Sequence, residues 1–279
     1  MRLFATRSCR HLMEDFKEIA GHVEIKTFSD GEIYVRLLEN VAKQDVWVLA
    51  QTAPPAENLI ELYFLLDALQ RENANVNLFL TYFGYARQDR TAYGEALSSE
   101  VLFRFLQTFN IKSTKILHIH NPKLRVFYDF QDVILLDFFI PYAQEADILV
   151  APDHGAQALV ASIAECAKKE YVVMSKTRSS HEHIEKITIN GTVKNKRVLL
   201  IDDMIATGGT IVHAAKILKE HGAVEIAVAA THGVFSDDAY NRIAKSAIDR
   251  VFVTNSLPQQ EHEKVTVVNC APMIEHFFR

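Results

Sequence analysis

Val198-Leu199-Leu200-Ile201-Asp202-Asp203-Met204-Ile205-Ala206-Thr207-Gly208-Gly209-Thr210 is the stretch whose reading decides the fold of this chain. An unbroken apolar run ending in two acids predicts a buried strand over Val198–Ile201, since a strand covered on both faces has no polar alternation. Ile211, Ala214, Ala215 and Leu218 then recur at helical spacing until Gly222, which predicts a helix from about Ile211 to His221. Between them a loop of small residues is expected. Gly208 and Gly209 let successive backbone N–H groups converge on one anion, Thr207 and Thr210 add hydroxyl donors, and the positive helix end favours a phosphate. Asp202 and Asp203 repel phosphate and suit ribose hydroxyls or a hydrated magnesium ion. The segment reads as a cradle for a sugar phosphate.

Outward from it, strand-like and helix-like runs alternate, the pattern of parallel sheets with right-handed crossovers. The two halves repeat one order. The strand at Val198, its helix, the strand Val224–Ala230 and Thr231-His232-Gly233-Val234-Phe235 parallel a first-half series. That series is the strand Val46–Ala50, a helix through Leu59 to Leu66, the strand Val76–Leu80 and Thr81-Tyr82-Phe83-Gly84-Tyr85. An internal duplication is expected, in which only the second copy keeps the acid pair and glycines. Pro141 is expected to break the pattern before a strand Ile148–Ala151. This places the domains at 1–142, joined by 265–279, and at 143–264.

Bulk properties narrow the function. The 279 residues, 49% of them hydrophobic, suffice for two domains of about 150 residues. A net charge of −5 without a basic stripe argues against nucleic acid as a partner. No apolar stretch approaches the ~20 residues that span a bilayer, and Met1–Ala5 does not lead into a signal-peptide core. A cytoplasmic protein without a membrane partner is expected. Cys9, Cys166 and Cys270, odd in number and far apart, imply neither a disulfide framework nor a zinc knuckle.

Further motifs sit at strand ends and turns. Phe28-Ser29-Asp30-Gly31-Glu32 puts an aromatic ring and two acceptors on a tight turn before the alternating strand Ile33–Leu38; it is an ordinary turn or a purine platform. Tyr82-Phe83-Gly84-Tyr85-Ala86-Arg87-Gln88-Asp89-Arg90 follows a strand, where open sheets bind ligands, and its two arginines suit a polyphosphate, with Asp89 to orient one of them. His118 and His120 stand at strand spacing, so both rings are expected on one face. Asp153 ends the strand Ile148–Ala151 and is available to a metal or a ribose. Lys176 and Arg178 end the strand Tyr171–Met174, and the polar stretch through His181 and His183 reads as a flap that brings two cations to a developing anion, with the two histidines idle.

Taken in order, these motifs resemble the ribose-phosphate pyrophosphokinase family, the synthases of 5-phosphoribosyl 1-diphosphate (PRPP), over nearly the whole chain. Phe28–Glu32, Tyr85–Arg90, Leu117–His120, Pro152-Asp153, Lys176 with Arg178, the acid-pair loop, Thr231–Ser236 and Val253–Asn255 carry the resemblance. Phosphoribosyltransferases, which consume PRPP, share only the loop. A non-catalytic regulatory relative is a further alternative, against which the retained Lys176, Arg178 and acid pair speak.

The resemblance implies an α/β chain of two phosphoribosyltransferase-type, Rossmann-like domains, each a mainly parallel sheet flanked by helices. It also implies MgATP and ribose 5-phosphate as substrates, Mg2+ as cofactor, and a homo-oligomer whose nucleotide site is completed by the Phe28 turn of a neighbouring subunit. By resemblance, Phe28, Asp30 and Glu32 hold adenosine, and Arg87, Gln88 and Asp89 the ATP phosphates. His120 and Asp153 sit at magnesium; Asp202, Asp203 and Thr207, Gly208, Gly209 and Thr210 bind ribose 5-phosphate; Lys176 and Arg178 stabilise the transition state. The chain departs from the family pattern at His118, Asn121–Arg125, Ala156 and Ala206, and in a short segment between Phe127 and Pro152.

Overall fold

The computed structural model describes residues 1–178 and 185–278. The chain forms two compact α/β units, each with its own core: residues 1–134 with 256–258 and 271–279, and residues 135–255 with 259–270. In the first lie β1 (Arg2–Ala5), β2 (Val23–Thr27), β3 (Ile33–Leu37), β4 (Asp45–Gln51), α1 (Glu57–Arg71), β5 (Asn75–Tyr82), α2 (Ser98–Leu106), β6 (Ile111–Leu117) and β7 (Gln131–Val133). The second opens with α3 (Leu136–Glu145), β8 (Ile148–Ala151), α4 (Gln157–Ala167), β9 (Tyr171–Arg178) and β10 (Glu185–Ile189). It continues with β11 (Arg197–Ile205), α5 (Gly209–Glu220), β12 (Glu225–Gly233), α6 (Ala239–Ala244), β13 (Arg250–Thr254) and β14 (Val265–Val268). The last helix, α7 (Ala271–Ile274), returns to the first unit.

Both units follow one topology. In the first, parallel strands run in the order β1-β4-β5-β6-β7; in the second, β8-β11-β12-β13-β14 run the same way, with the antiparallel pair β9-β10 added at the β8 edge. A hairpin follows the first strand in each: β2-β3 in one, β9-β10 in the other. Helices α1 and α2 occupy the crossovers that α5 and α6 occupy in the second copy. The repeated order read from the sequence is thus a repeated topology.

The central strands are buried on both faces, as their continuous apolar sequence requires. Val46, Val48 and Ala50 of β4 and Val76, Leu78 and Leu80 of β5 pack under Leu62, Leu65, Leu66 and Leu69, one face of α1. In the second unit, Val198, Leu200, Ile226 and Val228 meet Ile211, Ala214, Ala215 and Leu218 of α5. Each valine, leucine or isoleucine side chain among these contributes about 1.5–3 kcal/mol when removed from water, which holds the two helix faces on their sheets.

Two local expectations are corrected. Pro141 does not break the chain: α3 runs through it, because the missing N–H removes a single helical bond while Phe138, Phe139 and Ala143 stay buried. The strand at Val198 does not end at Ile201. Met204 and Ile205 continue the ladder against His232 and Gly233, so Asp202 and Asp203 belong to β11 rather than to a loop. The compact units divide between Ile134 and Leu135, where the sequence reading puts 142 and 143, and β14 pairs with β13 in the second unit.

Candidate active site

In parallel sheets the strand carboxyl ends face one edge, and loops there bind ligands. In the second unit that edge gathers the acid pair, the small-residue loop, the turn after β8 and the strap after β12. Asp202 and Asp203 are partly buried near the end of β11, and the Asp203 N–H donates to Asp202 Oδ1 at 2.9 Å. Burial, the Asp203 carboxylate and, in lesser measure, Asp153 push Asp202 well above the ordinary carboxylate range. Three acids close enough to repel one another form a site that a cation or a set of sugar hydroxyls relieves.

Beyond Ile205 the chain turns at once into α5. Gly208 takes φ +75°, a backbone that side chains rarely adopt, and its carbonyl accepts from Val212. Gly209 and Thr210 are exposed at the first turn of α5, with their N–H groups among those that a helix leaves without an internal partner. A Cβ at Gly209 would meet only Thr207 Oγ1, at 3.6 Å, so the glycine there leaves space for a ligand rather than relieving a clash.

The loop is braced from outside. Val234 and Phe235 donate to the Ile205 carbonyl, Ser236 to that of Ala206 at 3.1 Å, and Arg242 Nη1 to that of Thr207 at 3.0 Å. Each of these carbonyls is thereby satisfied by a donor outside the loop. The Thr231–Ser236 motif therefore acts as a strap; Arg242, on α6, carries no motif and was not legible in the sequence.

Asp153 is exposed in the turn that opens α4. Its Oδ1 accepts from Gly155 N at 2.8 Å and Ala156 N at 3.2 Å, leaving Oδ2 for a ligand. The neighbouring His154 bonds through Nε2 to Ser175 Oγ at 3.1 Å, joining this turn to β9. Lys176 and Arg178 follow Ser175 on β9, where they pair with Ile187 and Glu185 of β10; their side chains, with His181 and His183, lie outside the described residues.

The first unit places its motifs on the equivalent edge. Arg87 and Gln88 are exposed after β5, and Asp89, largely covered, accepts from Asn121 Nδ2 at 2.6 Å and lies 3.5 Å from Arg90 Nε. Arg90 is exposed, and its approach to Asp89 at 3.5 Å does not hold it in one orientation. Gln88 is anchored at the start of α2, where its carbonyl accepts from Ser99 Oγ and its side-chain oxygen from Ser98 Oγ. The histidines do not share a face. The strand β6 ends at Leu117, His118 takes φ +42° and is buried, and His120 is exposed. At the turn His118 N donates to Val133 O, at the end of β7, and Ile119 N to Asp132 Oδ1.

Phe28, Asp30 and Glu32 cap the hairpin β2-β3. Phe28 is 50% exposed, with its ring 5.7 Å from Tyr34. Asp30 Oδ1 holds Glu32 N at 3.0 Å, and Gly31 takes φ +94° at the tip.

Residues 1–109 match the family model of the N-terminal domain of ribose phosphate pyrophosphokinase, and residues 154–276 that of the phosphoribosyl synthetase-associated domain. The chain is 33% identical to a ribose-phosphate pyrophosphokinase of Mycoplasma pneumoniae, over 97% of its own length and 86% of that protein. The chain belongs to the ribose-phosphate pyrophosphokinase family. A second family member, from Campylobacter jejuni, is 35% identical over 91% of this chain and 86% of that protein. The crystal structure of phosphoribosylpyrophosphate synthetase from Mycobacterium smegmatis aligns with a TM-score of 0.90 at 31% identity, covering 100% of this chain and 97% of that one. The match to the family thus extends over both units.

Among the described residues no group of three or more His, Cys, Asp and Glu side chains is arranged to hold a metal alone. Magnesium does not require one: it is commonly bound by one or two carboxylates with water and phosphate oxygens completing the octahedron. Asp202, Asp203 and Asp153, hard oxygen donors that repel one another, fit that role. No helix among the described residues is long and apolar enough to cross a membrane.

Proposed function

We propose that this chain transfers the β,γ-pyrophosphoryl group of MgATP to the 1-hydroxyl of ribose 5-phosphate. The O1–Pβ bond forms, the bond from Pβ to the bridging oxygen of AMP breaks, the 1-hydroxyl proton is released to solvent, and the products are PRPP and AMP. The observation that carries the reading is the acid pair delivered beside the braced loop Ala206–Thr210, in a chain with family motifs in both units. The 5-phosphate lies on the Gly208, Gly209 and Thr210 N–H groups and the Thr207 and Thr210 hydroxyls, while Asp202 and Asp203 hold the ribose hydroxyls.

Arg87 and Gln88 contact the ATP phosphates, with Asp89 beside them. Lys176 and Arg178 meet the charge that develops on the transferred group, the kind of electrostatic stabilisation that dominates phosphoryl transfer. Asp153, at the edge of the acid pair, would hold Mg2+, and the ion would supply charge neutralisation at the phosphates there. Phe28 stacks on adenine, with Asp30 and Glu32 accepting from the nucleoside. The exposure of this hairpin supports its insertion into a neighbouring subunit, so the active form is a homo-oligomer of two or more chains. The protein acts in the cytoplasm, where both substrates are made.

Incubation with MgATP and ribose 5-phosphate is expected to give AMP and PRPP in equal amounts. Consumption of PRPP only with a free base would instead mark a phosphoribosyltransferase.

A further inference from the structure

We propose that Arg7 is a positioning residue that aims the purine-binding hairpin, held by Glu61 and directed at Thr27. This rests on the reading of Phe28, Asp30 and Glu32 as the nucleoside platform. Glu61 lies on the covered face of α1, 2% exposed, and a carboxylate so placed must be paired. Its two oxygens accept from the Arg7 backbone N–H and from Arg7 Nε, the latter at 2.6 Å. The guanidinium fork is therefore fixed in orientation before it reaches anything else. Its Nη1 then donates to Thr27 Oγ1 at 2.9 Å.

Thr27 is the point at which that bond has leverage. It pairs with Ile33 in the outermost rung of β2-β3, and Phe28 follows directly. Below this rung the hairpin is seated by Ile25, which is buried, and by Val23, Val35 and Leu37, which pack on the core. Beyond it the described hydrogen bonds run within the turn, from Phe28 N to Glu32 O, Gly31 N to Phe28 O and Glu32 N to Asp30. Arg7 thus ties the last rung to α1, and the direction in which Phe28 projects follows from it. A residue acting this way changes how ATP is held and leaves the reacting groups untouched.

The decisive variant is Thr27→Val, which keeps shape and the Arg7–Glu61 pair but removes the acceptor from an exposed position. It is expected to raise KM for ATP about fivefold, the scale of one hydrogen bond net of water, with kcat, KM for ribose 5-phosphate and Tm unchanged. Thr27→Ser retains the acceptor and is expected to behave as the parent. Arg7→Ala should raise the same KM and also lower Tm, because buried Glu61 loses its cation and keeps only the backbone N–H of residue 7; adding Thr27→Val to it should raise KM no further. An unchanged KM for ATP in Thr27→Val, or an equal rise for both substrates, overturns the proposal. Phe28→Ala separates it from the reading beneath. If Phe28→Ala raises KM for ATP and Thr27→Val does not, only the role of Arg7 fails. If Phe28→Ala leaves that KM unchanged, the hairpin is not the nucleoside platform and both fall.

Discussion

Arg242 and Thr207 are joined by a 3.0 Å bond from the guanidinium Nη1 to the loop carbonyl, which ties α6 to the loop between β11 and α5. Arg242 is exposed, so its removal leaves the core intact. Arg242→Ala is expected to weaken ribose 5-phosphate binding about tenfold by calorimetry, the lower end of the range for one charge-assisted hydrogen bond, while Tm stays within a degree or so. Unaltered binding would show that the strap after β12 suffices to set the loop.

The acid pair should lower stability in the metal-free protein. Asp202 is held above its ordinary value of 3.8 by burial and by Asp203. A raised folded-state pKa means that the folded chain binds this proton more tightly than the unfolded one. The group therefore favours folding at low pH, and that contribution is lost as pH rises from 3.8 through the raised value. With EDTA present at neutral pH, Asp202→Asn is expected to gain about 1 kcal/mol in denaturant unfolding and to lose turnover. A variant less stable than the parent at neutral pH would contradict the repulsion.

Phe278 is fully buried among Phe16, Trp47 and Phe79, with ring centroids 5.3, 5.5 and 5.4 Å away. Thus the last described segment seals the first unit. Phe278→Ala is expected to cost about 3–5 kcal/mol of stability in urea melts, since a cavity replaces edge-to-face ring contacts. A loss below about 1 kcal/mol would mean that the segment is not part of that core.

A hairpin that serves a neighbouring subunit predicts complementation. Phe28→Ala/Glu32→Ala and Lys176→Ala/Arg178→Ala are each expected to be nearly inactive, and mixed oligomers to regain part of the activity. Labelled subunits establish that mixing occurs. Mixed oligomers without activity, or a fully active monomer by sedimentation, would place the nucleotide site within one chain.

Much of this was legible in the sequence because strong patterns had local causes. Apolar runs gave the buried strands, the spacing of Ile211 to Leu218 gave α5, and the repeated order gave the duplication. The backbone carries that duplication further: Tyr85 and Phe235 take φ +67° and +43°, each four residues beyond a buried threonine, Thr81 and Thr231. What escaped the sequence depends on tertiary partners. Asp202 and Asp203 stay in β11 because β12 offers His232 and Gly233 to pair beyond them, which no local propensity encodes. His118 leaves the strand because Val133 and Asp132 bind the backbone at the turn. Arg242, Arg7 and Glu61 belong to no motif, and their roles exist only once distant elements meet.

Pyrophosphoryl transfer to the sugar is tested most directly by following ATP labelled at the β-phosphorus, with ribose 5-phosphate and Mg2+ present. The label is expected to appear wholly in PRPP, in step with unlabelled AMP. Label recovered in ADP, free phosphate or free pyrophosphate, with no labelled PRPP, would contradict attack by the ribose 1-hydroxyl on that phosphorus.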